Sequence, residues 1–192
     1  MEYIPSKKVI SADNQQERLK IKSWMVGFTD GEGCFSVSLL KNRTSKNGWQ
    51  VFPEFVITQG KKSLPALEIF KKYFKCGKIF VNKRYDNHKE NLYRYCVRSV
   101  RALKEKVIPF FEYNQLKTYK KKDFEIFSKI VHSMSKGKHL TKDGLTKIAK
   151  LIETMNRKKK SRFLESPETK RQPRQVTRKI EFYPHSDMRG NI

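Results

Sequence analysis

Between residues 16 and 31 the large apolar residues Leu19, Trp24, Met25 and Phe28 recur at helical spacing, and a Gly-acid-Gly cluster with Gly31 and Gly33 as stops closes the stretch. The pattern then changes period. Residues 34–39 alternate large apolar with small polar side chains, and 50–59 alternate again, with Val51, Phe55 and Ile57 on one side and Gln50, Glu54 and Thr58 on the other. A polar stretch at 42–48 joins the two, so they read as a hairpin. Residues 65–74 return to helical spacing, with Pro65 in an acceptable first-turn position and Gly77 following. A second hairpin spans 78–85 and 92–99 around Asp86-Asn87-His88. Helices follow at 100–111 (carrying Leu103 and Val107, and broken at Pro109), at 124–134 (with Ile130 and Val131 on its apolar side), and from about 141 to 155.

This order predicts an α+β domain over 16–156: an antiparallel four-stranded sheet covered by helices on one face. No internal repeat is visible. Residues 1–15 read as an irregular N-terminal arm. Residues 157–192 carry 11 Lys/Arg against 4 Asp/Glu and three Pro, so they read as a flexible, basic C-terminal extension suited to tracking phosphate.

Composition adds partners to this picture. The chain has 192 residues, enough for one domain with a tail. Thirteen Phe, eight Tyr and two Trp are too many for a disordered chain. Lys plus Arg is 43 and Asp plus Glu is 19, a formal charge of +24. A field of that size speaks of polyanionic partners, nucleic acid first and an anionic membrane second. No apolar run approaches the roughly 20 residues of a membrane span, and the first residues lack the apolar core of a secretory signal; no membrane is expected among the partners. Cys34, Cys76 and Cys96 are odd in number and far apart, which fits free thiols in a reducing compartment rather than disulfides or a zinc site. The four His are scattered, and no Ser, His or Cys constellation marks a nucleophile.

The sheet face away from the helices is therefore the candidate reading surface. Alternation puts Ser36, Ser38, Gln50, Glu54, Thr58, Lys78, Asn82, Arg84, Arg94 and Arg98 there. Arg suits guanine, and Asn or Gln suits adenine. Lys46, Lys61, Lys62, Lys83 and Lys89 lie at hairpin ends and loops, where phosphates would be met.

The sharpest local feature is residues 24–33, Trp-Met-Val-Gly-Phe-Thr-Asp-Gly-Glu-Gly. Gly27 inside a helix costs about 1 kcal/mol against Ala, which is usually tolerated where another backbone comes close. Asp30 and Glu32 sit where the helix dipole favours cations, not acids. Bound cations could offset them, and a carboxylate with backbone carbonyls is hard-oxygen ligation suited to Mg²⁺.

Residues 25–33 resemble the LAGLIDADG motif of homing endonucleases. Gly27, Asp30 and Gly33 match its letters, Gly31 holds the small-residue place and Glu32 the final acidic place; Phe28 and Thr29 depart from it. Residues 55–59 are similar to the family's second strand, ending in its Gln. Residues 116–120 resemble its basic active-site stretch, and residues 139–156 its closing helix. The resemblance implies an αββαββα fold with a saddle-shaped sheet on the DNA major groove. It also implies a homodimer of single-motif chains (the alternative being half of a longer two-motif protein), with the motif residues Gly27, Phe28, Asp30 and Gly33 at the interface and Gly27 at the helix crossing. An isologous dimer implies a long, roughly palindromic site in double-stranded DNA.

By the same resemblance Glu32 and the Gly31 carbonyl are ligands of a divalent metal, Mg²⁺. Glu32, Gln59 and Lys120 are catalytic: Gln59 positions water and Lys120 stabilises phosphate charge, with Lys121 as the alternative in the Lys run. The implied activity is site-specific double-strand cleavage for intron mobility, in a mitochondrion or chloroplast, otherwise in the cytoplasm. The rival reading is a maturase that binds intron RNA on the same fold.

Overall fold

The computed structural model describes residues 12–83, 91–155 and 162–165. Helix α1 (Ala12–Glu32) runs directly into strand β1 (Gly33–Lys41). It starts four residues inside the segment expected as an arm. Strand β2 (Trp49–Gly60) pairs antiparallel with β1, with Phe35 opposite Phe55 and Ser36 opposite Glu54. Asn42 closes the intervening loop by donating its N–H to the Gly48 carbonyl and accepting from Thr44 on its side chain. Helix α2 (Leu64–Phe74) follows, with Pro65 in its first turn. Lys75 and Gly77 then take positive φ, and a Cβ on Gly77 would meet the Tyr95 ring and the Cys96 carbonyl. Only glycine fits that turn without strain.

Strands β3 (Lys78–Asn82) and β4 (Leu92–Val97) form the second hairpin, and β4 also pairs with β2. The sheet order is β1-β2-β4-β3. Thus the first six elements, with the helix that follows, give αββαββα. The tip of the second hairpin, with Arg84 and Lys89, lies outside the described residues.

Helix α3 covers 100–113 and is not broken at Pro109. Its middle, Leu103–Val107, is a widened turn with five-residue hydrogen bonding, and the helix resumes at Ile108–Tyr113. Proline lacks an N–H and its ring crowds the preceding turn, so a widened turn just before it accommodates the ring without ending the helix. Helix α4 (Lys120–Ser135) and helix α5 (Lys142–Glu153) complete the layer; the Thr141 hydroxyl caps α5 by accepting from the Gly144 N–H. One turn, α6 (Arg162–Glu165), lies within the stretch expected to be flexible, yet Phe163 is buried edge-on against Trp49, 5.4 Å between centroids.

The described helices pack on one face of the sheet. Phe35, Phe55, Ile57, Tyr95 and Val97 point into the core with Met25, Leu67, Phe70, Leu103, Phe111, Phe127 and Ile130. Phe35 stacks on Phe55 at 4.9 Å and meets Phe111 edge-on at 5.3 Å. Each such burial contributes roughly 1.5–3 kcal/mol. This layer holds α1 on the covered face, and its last residues lead straight into β1.

Candidate active site and nucleic-acid interface

The C-terminal turn of α1 contains no basic residue. Its last carbonyls need donors from elsewhere. They find one in Lys120, the first residue of α4, whose Nζ donates to the Thr29 carbonyl at 2.9 Å and the Gly31 carbonyl at 3.2 Å. A lysine from a distant element thus supplies the positive charge that the helix end favours. Burial pushes the Lys120 ammonium below the ordinary lysine range, against the opposing pull of Cys34, Asp30, Glu32 and Asp123. Lys121, the alternative in the run, turns away and donates to Gln115.

Asp30 has a different task. Its carboxylate accepts from the Lys117 N–H at 2.7 Å, the Thr118 N–H at 3.3 Å and the Thr118 hydroxyl at 2.7 Å. Partial burial works to raise its pKa, but these hydrogen bonds, with the nearby Lys120 charge, hold it below the usual carboxylate range. Asp30 therefore ties the end of α1 to the segment leading into α4, which is what brings Lys120 into place. Glu32 is exposed and makes no hydrogen bond or ion pair among the described residues. Gln59 lies two residues beyond Ile57, the strand partner of Gly33, and so at the same end of the sheet.

The motif glycines divide into two kinds. A Cβ on Gly27 or Gly31 would meet nothing within 4 Å, so nothing inside the chain requires their smallness. A Cβ on Gly33 would meet the Thr29 methyl at 2.6 Å and the Thr29 carbonyl at 2.8 Å. Gly33 is buried, and its smallness serves the α1–β1 junction rather than a surface. Phe28 is half-buried against Trp24 and Phe70, 5.0 and 5.9 Å between centroids, so it packs on the chain's own α2. Beside Gly27, α1 leaves Ile21 and Trp24 partly exposed, where they line a shallow apolar groove with Ile69 and Tyr73 of α2.

The uncovered sheet face carries Ser36, Ser38, Gln50, Thr58, Lys78, Asn82, Arg94 and, just past β4, Arg98. Arg84 lies outside the described residues. Glu54 shares this face but is only 8% exposed: Arg94 Nη2 donates to one carboxylate oxygen at 2.9 Å and Arg98 Nε to the other. Both of its oxygens already accept from an arginine of the same face. Two aromatic residues on this face escaped the sequence reading. Phe52 and the 41%-exposed Phe80 hold the Arg98 guanidinium near their rings, at 5.3 and 5.1 Å.

Comparison with known proteins agrees with this geometry. A family model described as LAGLIDADG endonuclease matches residues 25–131. The chain belongs to the LAGLIDADG endonuclease family. A curated relative, "Probable intron-encoded endonuclease 2" of Neurospora crassa, is 35% identical over 135 residues, 70% of this chain and 29% of the relative. The crystal structure of a homing endonuclease, I-TnaI, superposes with a TM-score of 0.66 and 42% identity, covering 75% of this chain and 93% of that one. The I-SmaMI LAGLIDADG homing endonuclease bound to cleaved DNA gives a TM-score of 0.65 and 34% identity, covering 71% of this chain and 44% of that one. The chain thus spans under a third of the curated relative, under half of I-SmaMI and nearly all of I-TnaI.

Within this LAGLIDADG chain, Gly31, Glu32 and Lys120 come together at the end of α1, with Gln59 on the strand alongside. Asp30 and Gly33 of the motif act inside the subunit, and Phe28 does so in large part. Gly27 alone among the four expected interface residues is both exposed and unconstrained from within.

Proposed function

We propose that the protein is a site-specific homing endonuclease that makes a divalent-metal-dependent double-strand break in DNA. The observation that carries this reading is Lys120 fixed on the Thr29 and Gly31 carbonyls beside the free carboxylate of Glu32, at the rim of an uncovered sheet face set with Arg and Lys. Hard oxygens and one cation at a helix end are what phosphodiester hydrolysis needs. The endonuclease names of the relatives support the same reading over the maturase alternative.

The donor chemistry fits Mg²⁺ only as a shared site. Among the described residues no group of three His, Cys, Asp or Glu can hold a metal. Glu32 and the Gly31 carbonyl are two hard-oxygen ligands; a second subunit and DNA phosphates would complete the set. A divalent cation there supplies Lewis acidity toward water and the leaving oxygen. Glu32 contributes charge to hold it, Lys120 meets the phosphate, and Gln59 orients water. The homodimer reading follows from Gly27 and Gly31, exposed and unconstrained, next to the apolar groove of Ile21 and Trp24. The intron-encoded names among the relatives support an intron-borne protein, with a mitochondrion or chloroplast as its proposed compartment.

The test uses plasmid DNA bearing the intact exon junction. Mg²⁺-dependent double-strand cleavage is expected, with Glu32→Gln binding that DNA as wild type does but not cutting it. Cleavage by Glu32→Gln at the wild-type rate would remove Glu32 from the site.

A further inference from the structure

We infer that Arg98 reads a guanine in each half-site, and that Glu54 is the residue that positions it. This rests on the DNA reading above and adds which side chain sets specificity. Glu54 bridges two arginines, but it holds them differently. Arg94 is held through Nη2, one of the two terminal nitrogens that a guanidinium uses to grip a base edge. Arg98 is held through Nε, and neither of its Nη groups has a hydrogen-bond partner among the described residues. Those two groups form the fork that matches guanine O6 and N7.

The rest of the setting fixes the fork's direction. The Arg98 guanidinium carbon lies 5.3 Å from the Phe52 ring and 5.1 Å from the Phe80 ring, one on β2 and one on β3. Its side chain is 42% exposed, so the fork reaches solvent on the uncovered face. A long arginine normally loses rotamer freedom on binding. Here the carboxylate and the two rings have already removed much of that freedom. Glu54 is nearly buried with an arginine on each oxygen, so its carboxylate is directed at the two guanidiniums rather than outward.

The experiment is selection from a pool of randomised duplex oligonucleotides by the full chain, without divalent metal so that nothing is cut. Wild type is expected to enrich a site with a guanine column in each half. Arg98→Ala should flatten that column, on the order of tenfold to a hundredfold in discrimination, and leave the other columns in place. Glu54→Gln keeps the shape and weakens the clamp; it should relax the same column to a smaller degree. Thermal melting close to wild type for both variants shows that the fold is intact. The inference is overturned if Arg98→Ala weakens all sequences equally with a salt slope smaller by about one, which marks a phosphate contact. It is also overturned if Glu54→Gln alters a different column, which makes Glu54 a reader in its own right. If wild type enriches no sequence at all, the DNA reading itself fails, and that outcome is distinct from the other two.

Discussion

Gly27→Ala separates what one subunit needs from what two subunits need. Within the subunit the new Cβ meets nothing within 4 Å. Position 27 is interior to α1, where alanine is favoured over glycine by about 0.5–1 kcal/mol. For a chain of this size that is a rise of roughly 2–4 °C in melting temperature per kcal/mol. The gain should be seen at a dilution and salt concentration where sedimentation shows both proteins to be monomeric. A dimer joined through α1 should behave in the opposite way. If the two α1 helices cross at Gly27, a methyl enters from each side and the backbones must separate. Overpacking of a tight contact costs about 1–3 kcal/mol, so the dimer dissociation constant should rise on the order of tenfold or more. Double-strand cleavage should fall with it. Sedimentation and cleavage assays on the same preparation check both halves. A Gly27→Ala protein that dimerises and cuts like wild type would show that α1 does not cross its partner at this residue. A protein that loses stability as a monomer would show that the open space at Gly27 is filled from within.

Gly33→Ala should behave in the reverse manner: the Cβ collides with the Thr29 carbonyl, which is backbone and cannot rotate away, so the monomer loses about 1–3 kcal/mol in denaturant unfolding. Asp30→Asn should cost on the order of 1 kcal/mol near neutral pH, through weaker acceptance from Lys117 and Thr118 at a half-exposed site. Because the folded-state pKa of Asp30 is lowered, its contribution is present above the ordinary aspartate value and is lost as pH falls through the folded value. The gap between wild type and Asp30→Asn should therefore close in acid, and a gap that stays constant with pH would refute the charge-based account. If a homodimer brings two copies of Glu32 together near its dyad, they repel each other, so Mg²⁺ should tighten the wild-type dimer, and Glu32→Gln should dimerise equally well with or without it by sedimentation.

Much of the architecture was legible because period two and period 3.6 each appear cleanly. Phe55 and Ile57 face the core and Gln50 and Thr58 face away, as their alternation requires. Phe52 and Phe80 obey the same rule, since they share parity with Gln50 and with Lys78 and Asn82. Bulk alone suggests core for both, and parity is the better guide. Pro109 shows the converse error: a local rule that ends helices was overridden by a widened turn and by burial of Ile108, Phe110 and Phe111 on the same segment.

The choice between Lys120 and Lys121 could not be made from sequence, because it depends on a contact between residues some 90 positions apart. The structure shows what decides it. The end of α1 has unpaired carbonyls and two acids, so it requires a cation, and Asp30 fixes the segment 117–118 so that the first lysine of α4 arrives there. One motif acid thus positions the lysine whose charge offsets both acids in part. The other, Glu32, is exposed and makes no hydrogen bond or ion pair among the described residues, so its carboxylate stays open to a partner. What remains over at the helix end is one negative charge, exposed, on the same helix as an exposed glycine. Among the described residues nothing pairs with that charge, which leaves it open to a cation from solvent or from a partner.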